Sequence, residues 1–94
     1  MKNVYMITYG SGEELPTLVS KNLVKVMRII DKVLSGDKVI VYFVNRDLKS
    51  CPLTIKSLRQ HMREHEFCEI NLLENGVFSD SPYDRINIYL TKIL

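Results

Sequence analysis

Residues 39–44 read Val-Ile-Val-Tyr-Phe-Val, six apolar side chains in succession with no polar residue between them. Four are β-branched and two are aromatic, the types that fit a pleated surface best. The run is far shorter than the roughly 18 residues of a membrane span. A strand apolar on both alternating faces has to be covered on both, which predicts a central place in a sheet with packed elements around it. The rest of the chain must supply that cover.

Residues 4–9 form a first predicted strand, broken by Gly10-Ser11-Gly12. A long helix is expected from Pro16, a favoured first-turn residue, to about Leu34. On it Val19, Leu23, Val26, Met27, Ile30, Val33 and Leu34 recur at helical spacing. Gly36 suits the left-handed residue beyond its end. The second strand is residues 38–44, and residues 45–51 read as a polar loop. Pro52 is expected to open a second helix with Cys51 as its N-cap and Ile55, Leu58 and Met62 on its buried side, ending near His65. Cys68, Ile70 and Leu72 alternate with Glu69 and Asn71 in a third strand. Asn75-Gly76 signals a tight turn, residues 79–84 a loop, and Ile86, Ile88 and Leu90 against Asn87, Tyr89 and Thr91 a fourth strand with one face free for solvent or a partner.

The predicted order is therefore β-α-β-α-β-β: a single small α/β domain with a four-stranded mixed sheet and two amphipathic helices. The first helix would serve as the crossover between parallel strands 1 and 2. The 94 residues suffice for one domain. The N-terminus lacks a secretory leader's basic-then-apolar layout. Two cysteines without a C-x-x-C pattern point to free thiols in a reducing, cytoplasmic setting. No membrane association and no cofactor are expected.

Charge is sorted along the chain. Residues 15–65 carry ten Lys/Arg against four acids, and residues 66–94 carry two against five, within a net charge of +2. Lys21, Lys25, Arg28 and Lys32 follow one another at i, i+4, i+7 and i+11, within an arc of about 60° opposite the apolar face. Lys56, Arg59 and Arg63 repeat the arrangement on the second helix. Like charges at i, i+4 cost a few tenths of a kcal/mol, and an anionic partner, nucleic acid or an acidic protein surface, would offset that cost. No RNP-type or zinc-finger signature accompanies the stripe.

Other candidates are weaker. Gly10, Ser11 and Gly12, with Asn45 and Arg46 at the end of the second strand, would form a ligand loop if strands 1 and 2 were parallel neighbours. Cys51, as an N-cap near Lys49 and Arg46, would have a lowered pKa and a reactive thiol. His61 and His65 share a helix side near Cys68 in the sequence, but the order His-Met-Arg-Glu-His is not a metalloprotease motif and Arg63 disfavours a cation, so no metal site is expected. Tyr89 could stack on a base or anchor an interface.

Three local patterns are similar to known families. Residues 7–13, Ile-Thr-Tyr-Gly-Ser-Gly-Glu, resemble the first phosphate loop of flavodoxins without its further Thr/Ser and Gly. A Rossmann-like start followed by Gly36-Asp37-Lys38-Val39-Ile40-Val41 is similar to small sulfur-relay proteins of the DsrE type, whose working cysteine has no counterpart here. Gly36-Asp37, Arg46-Asp47-Leu48 and Phe67-Cys68-Glu69-Ile70 resemble the second half of viral ring nucleases, whose helix-borne histidine is missing. No nucleophile, base and orienting group come together. The expectation is a non-enzymatic binding or regulatory protein that acts through basic helix faces, of the kind phages, viruses and mobile elements use as accessory proteins. Homo-oligomerisation through the acidic C-terminal third is a further expectation. The alternative is a small α/β enzyme or nucleotide-binding domain with its ligand at the carboxyl ends of strands 1 and 2.

Overall fold

The computed structural model describes residues 2–10, 18–79 and 81–93. Seven strands and two helices follow in the order β1 (Lys2–Tyr9), β2 (Leu18–Ser20), α1 (Leu23–Val33), β3 (Asp37–Val44), β4 (Asp47–Pro52), α2 (Ile55–His65), β5 (Phe67–Glu74), β6 (Val77–Phe78) and β7 (Arg85–Ile93). One sheet holds all seven, in the order β2-β1-β7-β5-β3-β4 with β6 paired to β5. Every pairing is antiparallel.

This overturns the four-stranded mixed sheet and its β-α-β-α-β-β order. β1 and β3 are neither neighbours nor parallel. β7 and β5 lie between them, and three antiparallel pairings in succession leave β3 running against β1. A parallel Rossmann, flavodoxin or sulfur-relay start is therefore not what the chain builds. The topology instead uses one hairpin-plus-helix unit twice: β1-β2-α1, then β3-β4-α2, with an 11-residue helix in each.

Two elements absent from the sequence reading account for the difference. Asn45 and Arg46 both take left-handed backbone, φ 50° and 71°, which makes a two-residue hairpin turn of the hand that suits twisted strands. The turn brings Asp47 opposite Val44 and draws the polar residues 47–52 into the ladder as β4. Pro52 stands at the end of this edge strand, where a missing N–H is tolerated. Likewise Leu18–Ser20 pair with β1 as β2, so α1 begins after them, capped by Asn22, whose side chain accepts from the Val24 N–H at 2.8 Å. Val19 thus leaves the apolar helix face and is 61% exposed on a strand. The expected Asn75-Gly76 turn does form, with φ 54° and 78° closing β5 onto β6.

Both helices lie on one side of the sheet and beside each other. Each crosses back between strands that run in the same direction (β2 to β3, β4 to β5), and these directions are opposed, so α1 and α2 are antiparallel. Leu23, Val26, Ile30 and Leu34 of the first helical segment, and Leu58 and Met62 of α2, are buried against a helix-side row that runs unbroken across five strands: Tyr9, Ile86, Ile70, Ile40, Cys51. Each fully buried aliphatic side chain in this layer contributes about 1.5–3 kcal/mol.

The other sheet face carries no helix. This revises the doubly buried central strand: Val39, Ile40 and Val41 of β3 are buried, but Phe43 is 69% exposed and Val44 46%. β3 lies one place in from the edge, and its far end extends past the start of β5. Among the described residues no helix is long and apolar enough to cross a membrane.

Candidate functional site

The amphipathic pattern that drives α1 onto the sheet also sets its outer face. With Leu23, Val26 and Ile30 inward, Lys25, Arg28 and Lys32 project at i, i+3 and i+7 on the opposite side, all exposed. Lys21 is exposed but precedes the cap residue, so it adjoins the stripe without belonging to the helix. On α2, Lys56, Arg59 and Arg63 are exposed along one flank. That flank faces the neighbouring helix, because Arg59 and Arg63 share a recess with Leu23 of α1 and with Tyr5 and Leu90 beneath it.

The two helices together hold six Lys/Arg against two carboxylates, Asp31 and Glu64. Asp31 is committed elsewhere: Lys38 at the start of β3 approaches its Oδ1 at 2.9 Å and also donates to the Leu34 carbonyl at 3.2 Å, at the carbonyl end of α1. Glu64 lies 3.7 Å from His65 and accepts from Gln60 at 3.3 Å; it borders one recess with Lys56, Arg59 and Arg63 but forms no ion pair with them. None of the six cations forms an ion pair with a described acid. No protein-family model, no curated protein and no solved structure matches the chain.

The remaining sequence candidates do not converge. Gly10 ends β1, and Asn45 and Arg46 end β3, which runs the opposite way; the two turns lie at opposite ends of the sheet with β7 and β5 between them. A ligand site formed jointly by these loops is thereby removed, while Ser11 and Gly12 lie outside the described residues. Cys51 is not a helix cap. It lies in β4 opposite Ile40, and α2 is capped by Thr54, which exchanges hydrogen bonds with Ser57 (2.8 and 3.0 Å). Burial pushes the Cys51 thiol up, the reverse of an activated cysteine. Cys68 is fully buried, and burial, then Cys51 and Glu69, push its thiol up to about 12.

His61 and His65 stack on α2 with ring centroids 4.6 Å apart, and Tyr42 of β3 approaches His61 at 5.5 Å. They border a recess of about 320 Å³ beside Cys51 and Glu64. Burial, then the neighbouring His65, holds the His61 pKa below its ordinary 6.5, against an opposing pull from Glu64. No group of three or more His, Cys, Asp or Glu among the described residues is placed to hold a metal ion. Sequence reasoning missed the partnership of Tyr42 with these rings, because it depends on which strand lies under α2. Tyr89 is expected from the sequence to stack on a base or anchor an interface. β7 is an interior strand, between β1 and β5, so Tyr89 presents a face and not an edge.

Proposed function

We propose that this is a non-enzymatic binding protein whose helix layer engages a polyanionic macromolecule, a nucleic acid or an acidic protein surface. One observation carries the reading. Lys25, Arg28 and Lys32 on α1 and Lys56, Arg59 and Arg63 on α2 come from separate stretches of chain, yet share one layer with no described acid paired to them. Clustered like charge destabilises the fold slightly when free, and an anionic partner converts that cost into attraction.

The test is fluorescence anisotropy with labelled single- and double-stranded DNA and RNA, and with an acidic peptide, over a salt series. Nucleic-acid binding should weaken with a log–log slope of about 0.9 per phosphate neutralised on duplex DNA. Lys25→Glu with Arg28→Glu should abolish binding, and Lys49→Glu, on β4, should leave it unchanged. Absence of binding to every polyanion at low salt defeats the reading.

A further inference from the structure

The face opposite the helices also carries an apolar row, paired from strand to strand except between β5 and β3. Val19 of β2 pairs with Met6 of β1, Met6 with Tyr89 of β7, and Tyr89 with Phe67 of β5. Phe43 of β3, which borders a common recess with Phe67, pairs in turn with Leu48 of β4. The row crosses six strands, and every member except the half-buried Met6 is an exposed large apolar residue. Isolated exposed apolar residues need no explanation, but a contiguous row marks an interaction surface.

We infer that this face binds a second copy of the chain, sheet to sheet, about a two-fold axis parallel to the strands and midway between β5 and β7. Three observations select this occupant. First, the face is self-complementary about that axis, as an isologous contact requires. The axis exchanges β5 with β7 and β3 with β1, so Phe67 meets the partner's Tyr89, and Met6 meets the partner's Phe43. There a recess of about 260 Å³ is bordered by Phe43 and Phe67 and, toward the helix side, by Tyr42, His61 and His65, and its Phe43–Phe67 side can meet the thioether.

Second, the charges match. The central strands carry two charged residues on this face, Glu69 on β5 and Arg85 on β7. The same axis sets Glu69 opposite the partner's Asn87, with the partner's Arg85 two residues along, and sets Arg85 opposite the partner's Asn71. No like charges face each other. A nucleic-acid strand fits this face poorly, because Glu69 stands in it and the cationic cluster lies on the opposite side of the sheet.

Third, the geometry is adequate and the rival route is blunted. Six strands at about 4.8 Å by three residue rows at about 7 Å give a footprint of roughly 600 Å², whose corrugated surface approaches the ~800 Å² per partner of a standard interface. Sheets stack with a relative twist of about 30°, which moves the outermost positions by close to one row and leaves the central four residues in contact. Edge-to-edge pairing is disfavoured, since β2 has only three residues and β4 carries Asp47, Lys49 and Pro52.

Sedimentation equilibrium on the full chain tests this inference independently of polyanion binding. The wild type should sediment at micromolar concentration at twice 10.9 kDa. Phe67→Lys, at an exposed position, should weaken dimerisation by at least roughly tenfold while retaining the native circular dichroism spectrum. Glu69→Arg should weaken it, and Glu69→Arg combined with Arg85→Glu should restore it. A monomeric wild type, a dimer indifferent to Phe67→Lys, or no rescue in the double exchange overturns the proposal. So does a monomer that binds single-stranded oligonucleotides in a Phe67-dependent way.

Discussion

Phe67 and Tyr89 stand directly opposite each other on the two central strands, ring centroids 5.0 Å apart and planes tilted by 47°, on the sheet face that no helix covers. The pair is an aromatic contact that stays partly exposed. A double-mutant cycle with Phe67→Ala and Tyr89→Ala, read by urea unfolding of dilute protein, should give a coupling of about 0.5–1 kcal/mol. Ile70, on the same strand but fully buried beneath the helices, should behave differently. Ile70→Ala should cost about 2–5 kcal/mol, because a cavity opens in the core. Equal costs on the two faces would contradict the layer assignment.

Arg46 holds φ 71° in the β3–β4 turn. A left-handed residue with a Cβ costs about 1–2 kcal/mol, partly offset in glycine by its greater unfolded freedom. Arg46→Gly, which creates an Asn-Gly turn, should therefore raise the unfolding free energy by roughly 0.5–1 kcal/mol. A rise in the urea midpoint without a change in slope is the expected result.

His61 gives stability a pH dependence of definite sign. Its folded pKa is lowered, chiefly by burial, so near 6.5 the unfolded chain binds a proton that the folded chain refuses. The stabilisation is intact above about pH 6.5 and is lost progressively as the pH falls below it. Urea midpoints should drop between about pH 7.5 and pH 5, and His61→Phe should flatten that part of the profile. A proton NMR titration of the His61 ring should place its midpoint below 6.5.

Both thiols should be slow to alkylate in the native protein near neutral pH. Cys51 is raised by burial, and Cys68 is sealed in the core with its pKa pushed up to about 12. Denaturation should release both to ordinary thiol rates. Rapid labelling of native Cys51 would reinstate it as a reactive group.

Some of this architecture is legible residue by residue. The alternation at Cys68–Ile70–Leu72 and Ile86–Ile88–Leu90 identifies strands with one buried face. The helical spacing of Leu23, Val26, Ile30 and Leu58, Met62 identifies the buried helix sides, and the charges opposite them follow. Asn75-Gly76 identifies its turn. These features are local, because side-chain periodicity and left-handed tolerance act within a few residues. The basic faces were legible for that reason. That they form a single layer was not.

The sequence by itself determined the inward residues of both helices and of β5 and β7, and where charge gathers along the chain, but not that Val19, Phe43 and Val44 face outward. Only the tertiary structure decided that residues 47–52 and 18–20 are strands, that every pairing is antiparallel, that β5 and β7 are central, and that six residues from six strands, five of them exposed, form one apolar row. The physical reason is that backbone hydrogen bonds, which join strands, are the same for nearly every residue type. A strand's neighbours are chosen by how the two helices and the hairpin turn at Asn45-Arg46 close the core together. Polar segments such as β4 enter the sheet because an adjacent apolar strand needs its backbone groups paired, whatever their own side chains prefer.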